Sequence, residues 1–142
     1  MIQRIQSIWL LLTTVAAFLT LKLSFFSGNT VAEDQKTKAF QHFTAGSNLF
    51  ILILTVVLGV AAFTAIFLYK NRTLQLRITF AALIVSVINI VLYYYQAQKF
   101  VEAERSYSIT ALVTILIPVF ILLAIRGIYK DHKLVKSLDR LR

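Results

Sequence analysis

Few residues of this 142-residue chain have the chemistry of a catalytic or metal-binding group. The absence of cysteine excludes disulfides and Cys-ligated metal sites, and two histidines, His42 and His132, are too few for a His-only metal centre. A Ser, His and Asp set could be assembled only by bringing distant loops together. We therefore expect no enzyme activity, no cofactor and no metal site.

Asn89 is the most polar side chain deep within an apolar stretch, in the segment Val-Ile-Asn-Ile-Val. It could line a substrate path, or it could form a hydrogen bond with a neighbouring helix. The candidate partners for such a bond are Thr55, Thr64, Ser86 and Thr114. We favour the packing role, because polar side chains often join helices in membranes.

Three other residues point to helix packing. Gly59 and Ala62 belong to a small-residue face that would allow two helices to approach closely. Pro118 lies within an apolar run and removes one backbone donor, which predicts a kink near residues 115–118. None of the three has a charged neighbour that would indicate a gate or an ion path.

The C-terminal tail, residues 126–142, predicts a basic amphipathic helix that continues beyond Gly127. At 100° per residue, apolar and basic side chains separate onto two faces, with Asp131 and Arg142 as exceptions on the apolar face. The tail could bind the anionic lipids of a leaflet, or it could dock a protein partner. The candidate docking residues are Lys130, Lys133, Leu134, Lys136, Leu138, Arg140 and Leu141.

The stretches that lack charged residues predict the helices that position these side chains. The chain is 58% hydrophobic and 15% charged, whereas a soluble domain is roughly 45–50% apolar and about 25% charged. Four runs without Lys, Arg, Asp or Glu contain 17, 31, 21 and 20 residues. Because a helix needs about 20 residues to cross a bilayer, each run predicts one transmembrane span.

The predicted fold is therefore an all-α integral membrane protein, a single domain of four helices in an antiparallel up-down bundle. The predicted spans are residues 5–26, 48–69, 78–95 and 109–125. In the loop between the first two spans, Phe40 and Phe43 are three residues apart, and we expect a short helix there on the outer membrane surface.

The distribution of basic residues predicts the orientation. The side that holds both termini has ten Lys and Arg residues and the other side has five, which places both termini in the cytoplasm. The net charge of +9 is thus largely a topology signal, and we expect contact with anionic lipid rather than with nucleic acid.

Both ends of the chain resemble a known family. The opening Met1-Ile2-Gln3-Arg4-Ile5-Gln6-Ser7 and the closing segment from Arg126 to Arg142 resemble small four-helix membrane proteins of Bacteroidota, known as domain of unknown function 4293. The resemblance covers the whole chain and implies a multi-pass protein of the bacterial inner membrane. It implies no activity, cofactor or catalytic residue.

The function expected from these features is that of an accessory or interaction subunit of a membrane complex. The expected partners are membrane lipids and either another protein or further copies of this chain. The first alternative is an oligomeric transporter or channel, with Asn89 and threonines facing a shared pore. A lipid-modifying enzyme that uses loop residues is a second alternative.

Overall fold

A computed structural model describes residues 2–31, 38–98 and 106–139, and four long helices account for most of them. These are α1 (Ile2–Lys22), α2 (Leu49–Phe67), α3 (Arg72–Ala97) and α4 (Ile109–Asp139). Each helix contacts the next along the chain, and α4 also contacts α1, so the four form an up-down bundle. All four are long and apolar enough to cross a membrane.

The bundle interior is packed with small side chains. Ala16, Ala17 and Ala82 are at most 6% exposed and lie with Ile121 in the central core, and Ala62 is 1% exposed. Large apolar residues such as Phe18, Val57 and Leu122 are instead exposed on the outer faces of the helices. An apolar exterior around a core of small residues is typical of helices in lipid, and it indicates a multi-pass membrane protein.

Threonine hydroxyls within the helices form hydrogen bonds with the backbone of their own helix. The hydroxyls of Thr13, Thr14, Thr55 and Thr114 each donate to the carbonyl oxygen four residues earlier, at 2.7–3.3 Å. These polar groups therefore need no partner on another helix.

A small sheet closes the end of the bundle opposite the termini, and the sequence analysis did not predict it. It consists of β1 (Phe26–Val31), β2 (Lys38–Phe43) and β3 (Ser106–Tyr107) in the antiparallel order β2-β1-β3. Phe26 lies opposite Phe43 on one side and Tyr107 on the other. The predicted surface helix around Phe40 and Phe43 is wrong, because this segment pairs with β1 along its length.

The sheet also explains why the first helix is shorter than the predicted span, which ended at Phe26. Helix α1 ends at Lys22, and the backbone N–H of Phe25 donates to the Phe43 carbonyl at 2.7 Å. The Phe25 ring stacks on Tyr93 with ring centroids 4.3 Å apart, and Phe26 stacks on Phe43 at 4.8 Å. Phe25 and Phe26 are thus buried core residues at the start of β1, and they do not form the last turn of a helix.

At the terminal end, α4 extends past the rest of the bundle. The helix continues through Gly127 as predicted, so the basic tail is the end of α4 and not a separate element. Thirteen residues separate Arg126 from Asp139, which corresponds to about 20 Å of helix.

Candidate functional site: the polar end of the bundle

The terminal end of the bundle holds two buried glutamines that bind backbone carbonyls. Gln6 on α1 is 4% exposed, and its Nε2 donates to the carbonyl of Gly127 on α4 at 2.9 Å. A Cβ at position 127 would lie 2.8 Å from Gln6 Cγ, so the glycine allows α1 to approach α4 closely. Gln75 on α3 is 3% exposed and donates to the carbonyl of Ala65 at 2.9 Å, which ties α3 to the end of α2.

An ion pair joins α3 to the extension of α4. Arg72 Nη2 lies 3.3 Å from Asp131 Oδ2, and Arg72 Nη1 donates to the Asp131 carbonyl at 3.0 Å. The two side chains are 22% and 14% exposed, so the pair is largely shielded from solvent. Asp131, one of the two exceptions on the apolar face of the tail, therefore faces the bundle, where it holds Arg72.

All four helices surround a pocket of about 460 Å³ at this end, which we call the four-helix pocket. Its volume is in the range of small-molecule sites. The Arg72–Asp131 pair and the two glutamines supply its polar groups, and Ile8 and Ile66 contribute apolar walls. The remaining lining residues are Ser7 and Tyr69.

A second pocket of about 490 Å³ lies beside the first, between the α2–α3 turn and α4. It is lined by residues 69–73, His132 and Val135, and we call it the turn cleft. Lys70 and Arg72 are basic and none of the lining residues is acidic. Asn71 is the N-cap residue of α3, and its side-chain oxygen accepts a hydrogen bond from the Leu74 amide at 3.3 Å.

Asn89 lies in the bundle interior, 5% exposed, and its Nδ2 donates to Thr55 Oγ1 at 2.8 Å. Thr55 is one of the packing partners considered for it from the sequence. Its other amide atom, Oδ1, is buried without a hydrogen-bond partner among the described atoms. Because both amide atoms are enclosed within a single bundle, Asn89 does not present a polar surface to the outside.

The small-residue face of α2 packs against α1. Gly59 is buried, and a Cβ there would lie 3.3 Å from the Phe18 ring and 3.6 Å from Ala17 Cβ. Ala62, one turn later, is 1% exposed. Pro118 is partly buried within α4, which runs through it as one helix, and the expected kink remains a prediction.

The candidate docking residues of the tail are only partly covered by the described structure. Lys130 and Lys133 are exposed, and Leu134 is 45% exposed. Lys136 and Leu138 lie on α4, whereas Arg140 and Leu141 lie outside the described residues.

Sequence reasoning missed the four residues that build this end of the bundle: Gln6, Arg72, Gln75 and Asp131. A signal was available for Asp131, since a carboxylate on the apolar face of a helix calls for a partner. Choosing Arg72 among the basic residues of the terminal side required knowledge of which helices are neighbours.

Searches of curated proteins and of solved structures each found no significant match. A family model described as a domain of unknown function, DUF4293, matches residues 2–141, nearly the whole chain. The chain therefore belongs to the DUF4293 family, and the structure gives it four candidate membrane helices.

Proposed function

We propose that this protein is an accessory subunit of a complex in the bacterial inner membrane, with both termini in the cytoplasm. The excess of basic residues on the terminal side, ten against five, supports this orientation. The polar end of the bundle and the extension of α4 then face the cytoplasm. The family resemblance to Bacteroidota proteins supports the choice of membrane.

One observation carries the proposal: α4 leaves the bundle with apolar residues still exposed. Ile128 is 1% exposed because it packs within the bundle, whereas Leu134 and Val135 are 45% and 40% exposed. Leu134 and Val135 are eight and nine residues beyond Arg126, the charge that ends the fourth apolar run, which is about 12 Å along the helix. In this proposal they therefore lie outside the lipid tails. Exposed apolar residues flanked by basic ones are typical of a helix that docks on another protein.

The Arg72–Asp131 pair supports the same role. It joins α4 to α3 just before Leu134 and Val135, so the C-terminal extension of α4 has a fixed direction. A rigid helix loses less conformational freedom when it binds, which favours affinity. The occupant of this face is then a protein with an apolar surface that covers Leu134 and Val135.

The alternative of an oligomeric channel receives less support. A shared pore needs polar side chains on outer faces, but Asn89 and Thr55 are 5% and 2% exposed within one bundle. Catalysis is also disfavoured, because the buried polar residues among the described part of the chain are Gln, Thr, Ser and Asn, all uncharged. The proposal accordingly includes no cofactor, metal, nucleic acid or reaction.

Co-purification of two variants tests the proposal. Val135→Asp and Lys133→Gln each lower the net charge by one, but only the first alters the apolar face, since the two positions are 200° apart on the helix. We expect Val135→Asp to lose a stoichiometric protein partner in mild detergent and Lys133→Gln to retain it. Leu138→Asp should behave like Val135→Asp.

Membrane insertion provides the control, because both variants leave the four spans intact and should accumulate to the wild-type level. Equal retention of the partner by both variants would contradict docking through this face. A purified wild-type protein that contains only copies of itself would favour the oligomeric alternative.

A further inference from the structure

We propose that the turn cleft binds the phosphate group of one anionic phospholipid. The cleft is a defined pocket of about 490 Å³ between the α2–α3 turn and α4, and the family and the proposed function assign no ligand to it. Val135 lines the cleft and also belongs to the proposed docking face, so the test below uses Lys70 and Arg77 and needs no protein partner.

The charge of the cleft favours an anion. Lys70 and Arg72 line it together with His132, and its lining includes no carboxylate. Asp131 lines the neighbouring four-helix pocket, but its carboxylate lies 3.3 Å from the Arg72 guanidinium and offsets that charge. The net positive charge of the cleft therefore comes from Lys70, and Arg72 contributes oriented N–H donors. Because Asp131 holds the guanidinium through Nη1 and Nη2, Arg72 is oriented before a ligand arrives.

Hydrogen-bond donors complete the recognition of a phosphate. Tyr69 and Thr73, whose side chains carry hydroxyls, are among the lining residues. Helix α3 begins at Arg72, within the lining, so the positive end of its dipole adds to the potential of the side chains.

The cleft lies near the outer edge of the lipid headgroup layer. Arg77 is the last charge before the apolar run of α3, and Arg72 is five residues farther out, about 7.5 Å along the helix. On α4, His132 is six residues beyond Arg126, which is about 9 Å. The headgroup layer on each side of a bilayer is about 5–8 Å thick, so both helices place the cleft near its outer edge.

Exposed aromatic residues on the last turns of α2, which precede the cleft along the chain, offer an apolar surface for acyl chains. Phe67, the last residue of α2, is 64% exposed, and its ring contacts Phe63 with centroids 5.1 Å apart. Tyr69 is 52% exposed between these rings and the cleft, as expected for an aromatic residue at the interface. This arrangement favours a lipid phosphate over a free phosphate, which would gain nothing from the apolar surface.

Native mass spectrometry of the full-length protein in a nonionic detergent tests the inference. The probes are phosphatidylglycerol, phosphatidylcholine and inorganic phosphate. We expect one phosphatidylglycerol per chain to bind at least about fivefold more tightly than phosphatidylcholine. Inorganic phosphate alone should give no retained adduct.

Two variants separate a defined site from general attraction to an anionic surface. Lys70→Gln should weaken phosphatidylglycerol binding about fivefold, which corresponds to about 1 kcal/mol for one basic residue. Arg77→Gln removes the same charge from an exposed position on the same side, outside the cleft, and should weaken binding less than twofold.

Equal effects of the two variants would overturn the inference, because they would show that only total charge matters. Equal affinity for phosphatidylglycerol and phosphatidylcholine would also overturn it, and so would retention of inorganic phosphate in competition with the lipid. If Lys70→Gln does not fold, the wild-type preference between the two lipids decides the question.

Discussion

The hydrogen bond between Asn89 and Thr55 should contribute little to stability, although it is buried in the middle of the bundle. Asn89→Leu removes a bond that is worth about 0.6 kcal/mol on average in membrane proteins and at most about 1.7. It also removes Asn89 Oδ1, which is buried without a partner among the described atoms. Since an unpaired buried acceptor costs about 1–3 kcal/mol, removing it offsets or exceeds the loss of the bond.

We therefore expect Asn89→Leu to lower the free energy of unfolding by no more than about 1 kcal/mol, or to raise it. Thr55 remains satisfied in the variant, because its hydroxyl still donates to the Ile51 carbonyl at 2.7 Å. A double-mutant cycle with Thr55→Val, measured by reversible unfolding in bicelles, should give a coupling energy of about 0.6 kcal/mol. Asn89→Asp serves as the contrasting variant, since a charge at this depth costs at least about 2.5–3.5 kcal/mol.

A destabilisation above about 2 kcal/mol by Asn89→Leu would refute this reasoning, because it would require interactions of Oδ1 that the structure does not contain. Loss of a cellular phenotype at normal abundance would refute the packing role itself and favour a pore or substrate path.

Two further predictions concern helix contacts. Arg72→Gln should lower the free energy of unfolding by about 1–2 kcal/mol, because it leaves the largely shielded carboxylate of Asp131 without its ion pair. Asp131→Asn should lower it by less, since Arg72 still donates to the backbone carbonyl at 3.0 Å. Thermal denaturation in detergent compares them, and equal stability of all three proteins would argue against the pair. Gly59→Leu should destabilise by about 1–3 kcal/mol through overpacking against Phe18, while Gly59→Ala should cost less than about 1 kcal/mol, because the ring needs to move by only a few tenths of an ångström. A tolerated leucine, measured in the same way, would contradict the close approach of α1 and α2.

The four helices could be predicted because the bilayer imposes a strong rule on the sequence. Charges are excluded over about 20 residues at a time, so gaps between Lys and Arg residues mark the spans without any knowledge of tertiary contacts. The continuation of α4 beyond Gly127 followed from its helical periodicity.

The sheet and the polar end could not be predicted in the same way. Phe25 and Phe26 extend the apolar run of α1, and only the pairing with Phe43 and Tyr107 separates them from the helix. Gln6 and Gln75 resemble surface residues near span ends, but they are buried because their amides reach carbonyls on neighbouring helices. Such contacts depend on which helices are adjacent, and a single sequence does not encode that in a local pattern.

Cysteine accessibility tests the central claim most directly, namely that the polar end and the extension of α4 face the cytoplasm. The chain has no cysteine, so a single introduced thiol reports one position without background. Gln98→Cys and Lys133→Cys place exposed thiols at opposite ends of the bundle. In intact spheroplasts, a membrane-impermeant maleimide should label position 98 and should reach position 133 only after permeabilisation. Labelling of position 133 in sealed spheroplasts, with position 98 protected, would contradict the account.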